Sequence, residues 1–414
     1  MKKKGFFQLI LLSTIVILFL SGFSGCQKLK TSNLRANYHF NKANDLYREE
    51  KYKNAIKEYE ETLKLNPDLN SAYIYLGTCY SQIYHPRKNN PGNKEAGEKA
   101  VRYLRKAREA FPDEKNVIYA LSEIYDKMGN FEESEKYLKI ILEKEPNNPV
   151  IYYVLADAYS KYEKKELAES MFEKRISLDP GNPEGYHYYS NYLAHMHKWD
   201  EAIANGEKRI YAIYDPGIIP LLNDVGKMKS ELEIIEATER NIKTIRKHTK
   251  LTKTEKEKLL KEAKERLQTF QSKEEISKEM ARKEKEMKKR IGSADKKIAA
   301  LSEDSKKEII DALYTLGYIC WEKLYHKPTG SRFDFDVIDK GMEAIHTVLE
   351  LDSKHDSAMV CLNLLWRQKC IGDPLKCKAY LAKAEAFLAR AKRIRERRVR
   401  NEKIKRQLEN MAYK

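Results

Sequence analysis

From residue 34 onward, apolar positions recur three and four residues apart, in short blocks separated by polar turns. No stretch alternates with period two, so the pattern predicts an all-α chain. The blocks come in pairs, and the pairs repeat. The phrases LKLNP, REAFP, LEKEP and SLDP end at Pro67, Pro112, Pro146 and Pro180; the last two intervals are 34 residues, and the first is 45, which is 34 plus an insertion of 11 around YHPRKNNPGNK. A fixed period of this length marks stacked helix pairs. With each proline counted as position 32, the middle of the first helix reads large then small: Leu76-Gly77, Leu121-Ser122, Leu155-Ala156, Tyr189-Ser190. The second helix opens on a ring and a small residue: Tyr52/Ala55, Phe131/Ser134, Trp199/Ala202. Small residues let two helices approach closely, and large ones fill the space between pairs.

Period, large-small pattern and terminal proline together resemble the tetratricopeptide repeat family, over about five repeats in residues 34–214. The resemblance implies a helix-turn-helix solenoid that binds a protein or peptide segment in a concave groove lined by the first helix of each pair. It also assigns the groove positions, which here are Phe40, Asn44, Tyr47, Thr78, Tyr119, Glu123, Asp126, Tyr153, Asp157, His187 and Asn191. Aromatic rings along such a groove suit an extended or helical peptide. Asn44 and Asn191 carry both donor and acceptor for a ligand backbone. Glu123, Asp126 and Asp157 give the centre an acidic character that favours a basic or neutral segment. The basic clamp by which some members read a C-terminal carboxylate is missing, because Phe40 and Tyr75 occupy its places. Arg175 and Arg209 replace the usual small residue late in the second helix. The plain alternative is a set of ordinary solvated helix faces.

Pro216, Gly217 and Pro220 break the rhythm. Residues 215–304 then read as a charged helical arm. Leu260, Ala263, Leu267 and Phe270 step by three and four; Met280, Met287, Ala294 and Leu301 step by seven. Thr252 with Glu255 and Ser272 with Glu275 read as capping boxes, and Gly292-Ser293 as a stop and restart. The expectation is two or three long helices in a projecting hairpin or coiled coil. Their apolar stripe is narrow enough to pack on one partner face rather than form its own core. Residues 305–395 return to the repeat: Ser305 with Glu308 reads as a capping box, and Leu316-Gly317 matches the earlier first helices. Residues 396–414 form a basic helical tail, and ten of the nineteen residues from Leu388 to Arg406 are Lys or Arg.

Composition adds an address and removes most chemistry. The chain has 414 residues and a net charge of +17. Residues 1–26 join a basic start (MKKK) to an apolar run and Phe23-Ser24-Gly25-Cys26. That ending resembles the bacterial lipobox, which implies a signal peptide removed at Cys26, a lipid on that cysteine, and residues 27–33 as a tether. An uncleaved anchor is the alternative. Either places the rest outside the cytoplasm, in the cell envelope. With Gln27 after the cysteine, the resemblance favours the outer membrane where there are two. Cys370 and Cys377 flank a short loop, where a disulfide is plausible in an oxidising compartment, while Cys79, Cys320 and Cys361 sit on apolar faces. No ligand spacing suggests a metal, no motif suggests a cofactor, and Gly92-Asn-Lys-Glu-Ala-Gly97-Glu-Lys99 fails as a phosphate loop because Glu98 occupies the lysine position. Neither a nucleophile elbow nor a metalloprotease helix is present, so an enzyme is not expected. Nucleic acid is excluded as a partner by export. Two readings remain. One is a membrane-anchored scaffold with a polypeptide in its groove, serving assembly of an envelope complex. The other is a structural tether whose basic helices hold an anionic wall polymer, membrane or acidic protein.

Overall fold

The computed structural model describes residues 31–249, 251–328 and 333–412. The lipobox cysteine Cys26 and the segment before it lie outside the described residues. Among those described, every regular element is a helix. The chain divides into two compact units, residues 1–168 and 169–414.

The first unit is built from α1 (Thr31–Arg48), α2 (Tyr52–Leu65), α3 (Asn70–Ile83), α4 (Pro91–Ala110), α5 (Lys115–Lys127), α6 (Phe131–Lys144) and α7 (Pro149–Lys161). Each helix packs on the next, and α1 also touches α3, as α3 does α5, so the first helices of successive pairs form one layer. The expected small position is a true close approach. A Cβ on Gly77 would lie 2.6 Å from Leu104 Cγ, so α3 and α4 meet at that point only because glycine stands there. Leu76, Leu104, Leu121, Leu155 and Tyr59 are buried around these crossings.

The turn inside each pair has a repeating chemistry. Glu50, Gly129, Glu163 and His197 all have φ between 56° and 75°, and all stand at the same repeat position. After each, a backbone N–H reaches five residues back: Lys51 to Leu46, Asn130 to Tyr125, Lys164 to Tyr159 and Lys198 to Leu193, at 2.8–2.9 Å. This is the Schellman closure, which satisfies carbonyls the helix end leaves open. Three of its four left-handed residues are not glycine. The terminal prolines are held the same way three times. Tyr73, Tyr152 and Tyr186 donate their phenol hydrogens to the carbonyls of Pro67, Pro146 and Pro180, at 2.8–3.1 Å. The following helices start with Asn148 and Asn182 as caps and proline next.

After α8 (Lys165–Leu178), in which the boundary between the units falls, the second unit contains α9 (Pro183–His195), α10 (Trp199–Tyr214), α11 (Ile218–Lys247), α12 (Lys253–Gln268), α13 (Lys273–Ile291), α14 (Ala294–Ala299), α15 (Glu303–Tyr325), α16 (Phe335–Leu351), α17 (Asp356–Gly372), a 3-10 turn (Pro374–Lys376) and α18 (Cys377–Ala412). Here the repeat skips the arm. α15 packs directly on α10, as the first helix of a sixth pair would. Two arginines give the register. Buried Arg175 donates to Glu184 at 2.7 Å, and buried Arg209, one repeat later in position, donates to Asp311 at 2.9 Å. Glu184 and Asp311 both hold repeat position 2, Glu184 as the second residue of α9 and Asp311 inside the longer α15. The arginines that break the family pattern are therefore repeat-to-repeat latches. The Leu316-Gly317 pair repeats the close approach of Leu76-Gly77: a Cβ on Gly317 would lie 2.5 Å from Ile345 Cγ1.

The arm differs from its sequence reading. It folds back on itself, with α11 packed against α12 and α13. Ile235, Ile242, Ile245, Ala263 and Ile276 are buried between these helices, while of the stripe residues named from the sequence only Ala263 is buried and the others are half-covered. Each helix contributes few apolar residues, but antiparallel return brings them together. Pro216 and Gly217 do precede a break, yet Pro220 lies inside the first turn of α11, where its missing N–H costs nothing. The capping boxes at Thr252/Glu255 and Ser272/Glu275 are present. The one expected at Ser305/Glu308 is not; Ser302 caps α15 by accepting from the Ser305 N–H. The basic tail is no separate element, because α18 runs unbroken from Cys377. Cys370 and Cys377 are joined by a disulfide across the turn before it.

Candidate functional site

In the first unit the expected groove residues share the first-helix layer, but several are already engaged. Phe40 and Tyr47 pack on Tyr75, with ring centroids 6.0 and 5.6 Å apart, and Tyr75 stacks on Tyr59 at 5.9 Å. Tyr75 is 37% exposed, so this knot of rings presents an edge to solvent. The Asn44 side-chain oxygen accepts from the Tyr59 phenol at 2.7 Å, which fixes the amide as a support for that knot. Thr78 donates to its own helix at Ile74, 2.9 Å away. The Asn44 acceptor and the Thr78 donor are thus engaged within the fold. Tyr119 and Tyr153 are half-buried on α5 and α7.

The acidic centre is also corrected. Lys127 pairs with Glu123 at 2.6 Å, and Lys161 sits between Asp157 at 2.8 Å and Asp126 at 3.3 Å. Burial opposes the charge on Lys161, but the bond to Asp157 and the field of Asp126 outweigh it and hold its pKa above the usual lysine value. Three carboxylates are met by two ammonium groups from the same layer, so the face is close to neutral. The lysines stand four residues after Glu123 and Asp157, on the same helix face, which puts them within reach of both.

In the second unit, His187 and Asn191 of α9 are 3.3 Å apart, side chain to side chain. Burial, with Arg209 nearby, lowers the His187 pKa. The larger feature belongs to α15. The register set by Asp311 puts Tyr314, Tyr318 and Trp321 at the groove positions of the earlier first helices, and Tyr325 follows one turn beyond where those helices end. Tyr318 and Trp321 lie 5.5 Å apart, and Trp321 and Tyr325 5.2 Å. Tyr318 is 39% exposed and Tyr325 61%. The row continues through His326, which stacks on Trp199 at 5.8 Å. Hydrogen bonding to Glu322 and burial push the Tyr318 phenol up to about 12, so it stays a neutral donor and acceptor. The sequence reading passed over these rings. The signal was available: Leu316-Gly317 fixes the register, and Tyr314, Tyr318 and Trp321 follow from it.

Burial pushes Cys79, Cys320 and Cys361 up to about 12, which keeps them protonated. Among the described residues no group of three or more His, Cys, Asp or Glu could hold a metal ion. No helix among them is long and apolar enough to cross a membrane.

Tetratricopeptide-repeat family models match residues 36–69, 94–158 and 149–182. No curated protein matches the chain. Among solved structures it is similar to MamA, with 19% identity over 41% of this chain and 93% of that one, at a TM-score of 0.35. It is also similar to YrrB, a TPR protein with an unusual peptide-binding site, with 20% identity over 42% of this chain and 84% of that one, at a TM-score of 0.33. A third is a thermophilic TPR protein of Thermus thermophilus, with 18% identity over 43% of this chain and 91% of that one, at a TM-score of 0.32.

Proposed function

We propose that this chain, whose residues 36–69 and 94–182 match tetratricopeptide-repeat models, is a membrane-anchored scaffold that holds a partner polypeptide against the rings of its first-helix faces. The observation that carries this reading is a partly exposed aromatic surface on first helices in each unit: Phe40, Tyr47 and Tyr75 in one, Tyr318, Trp321 and Tyr325 in the other, with Tyr47 and Trp321 at the same repeat position. Aromatic side chains offer large contact area at low entropic cost and dominate interface energetics. The near-neutral α5–α7 face supports a partner segment chosen by shape and apolar contact more than by charge.

The address supports the setting. A lipid on Cys26 would fix the chain to a membrane outside the cytoplasm, with the outer membrane favoured where two exist, and assembly of an envelope complex is work that suits an anchored scaffold. The test is site-specific photocrosslinking in membranes. A benzophenone side chain at Tyr47 or Tyr318 is expected to capture one or a few defined proteins. The same probe at Lys136, on the exposed side of second helix α6, is expected to capture none of them. Equal capture from both faces contradicts the reading. Separately, Cys26→Ser is expected to release the chain from the membrane fraction or to leave it unprocessed.

A further inference from the structure

The second unit contains a basic groove apart from the aromatic row. It has a volume of about 980 Å³, and its walls are α18 and the turn between α16 and α17. Lys354, Arg390, Arg393, Arg397, Arg398 and Lys405 line it, and Glu402 is the one carboxylate in the lining. The arginines divide into two groups. Arg395 and Arg398 both reach buried Asp356, which anchors α18 to the start of α17. Asp356 is held below the usual carboxylate range: burial opposes this, and the two arginines outweigh it. Those charges are spent within the fold. Arg390 instead donates to the Ser353 carbonyl at 2.9 Å, and Arg393 to its own helix, which orients both guanidinium groups without neutralising them. No carboxylate among the described residues pairs with Lys354, Arg390, Arg393 or Arg397. Ala386 and Ile394 give the groove an apolar floor.

We infer that this groove is a second binding site, and that its occupant is an acidic polypeptide segment of a partner protein. Charge complementarity requires an anion. The shape selects among anions: a recess with two walls and an apolar floor takes an extended chain, whereas a membrane surface requires a convex face with apolar side chains projecting from it. Guanidinium groups held in place favour carboxylates, which they bind through paired N–H donors. Such an occupant differs in chemistry from the one the near-neutral face of the first unit suits, so two segments could be held at once.

The test uses the full chain immobilised in non-ionic detergent, with a synthetic peptide of alternating Glu, Asp and Leu as the probe. Arg393→Gln with Arg397→Gln is expected to weaken peptide binding about tenfold or more. Lys392→Gln with Arg400→Gln removes equal charge from the same helix outside the lining, and is expected to change binding less than about twofold. Equal losses in both variants overturn the site, because the helix would then act as a diffuse charge. Failure of the peptide to bind also overturns it. Micelles doped with phosphatidylglycerol are the second probe. If they bind in a manner sensitive to Arg393 and Arg397 while the peptide does not, the groove is a membrane contact and the inference is wrong.

Discussion

The sixth helix pair, α15 and α16, and the arm pair, α11 and α13, lie in one unit but hold together by different means. In the repeat pair, Gly317 lets the backbones meet, and Leu313, Leu316, Ile338, Ile345 and Val348 fill the seam. In the arm, a few isoleucines are supplemented by charge: Lys273–Glu236 at 2.8 Å, Lys229–Glu284 at 3.3 Å and Lys283–Asp224. Exposed ion pairs of this kind stabilise by about 0–1 kcal/mol each, whereas burial of one large aliphatic side chain contributes about 1.5–3 kcal/mol. The repeat pair is thus held mainly by apolar packing and the arm beyond its first turns more by charge, while Ile219 at the start of α11 is buried with Tyr186 and Ala212 of the repeat. Charge also closes the arm's base. Asp215, at the end of α10, accepts from Arg290 at 3.2 Å and from Lys297, which ties the arm's beginning to its end.

Substitutions can break this contrast in order of size. Leu316→Ala should cost about 2–5 kcal/mol and lower the main melting transition, since it opens a cavity between helices that cannot collapse. Ile276→Ala should cost less, at the lower end of that range, and should raise amide exchange in the arm while the exchange of α15–α18 stays protected. If both substitutions unfold the unit together, the arm is not an independent insertion.

Asp215→Asn should cost about 1–3 kcal/mol at neutral pH, with an effect that depends on pH. Burial raises the Asp215 pKa, but Lys297 and Arg290 outweigh it, so the folded value lies below the unfolded value of about 3.9. The carboxylate's contribution is therefore fully present above that value and is lost as pH falls through the folded one. Denaturant melts between pH 7 and pH 3 should show a loss in the parent chain that the Asn variant lacks. The smallest effect has the opposite sign. Glu163→Gly should stabilise by about 0.5–1 kcal/mol, because the left-handed turn residue no longer bears a Cβ. Gly129→Ala at the equivalent turn should destabilise by a similar amount, and urea titrations of the two variants measure both.

Period, pairing, close-approach positions and two of the three expected capping boxes were legible in the sequence because each depends on residues near one another in the chain. The Tyr73, Tyr152 and Tyr186 bonds to the prolines could have been read as well, since each tyrosine follows its proline by six residues. Three features were less legible. Direct packing of α15 on α10 is a contact between residues about a hundred apart, Arg209 and Asp311. The arm's core forms only when antiparallel helices return, so no single stripe is wide enough to announce it. The neutralisation of Asp126 by Lys161 crosses from one repeat to the next, and a residue-by-residue count of charges misses it.

The measurement that bears most directly on the scaffold reading combines arm excision with crosslinking. Residues 227–301 are replaced by a flexible linker, which keeps the start of α11 that packs on Tyr186 and Ala212, and the benzophenone at Tyr318 is used to capture partners from membranes. Capture of the same proteins with and without the arm is the expected result, because the stack is continuous across the excision and the rings of α15 carry recognition. Loss of those proteins from a chain that still folds and melts cooperatively contradicts it, and makes the arm the binding element.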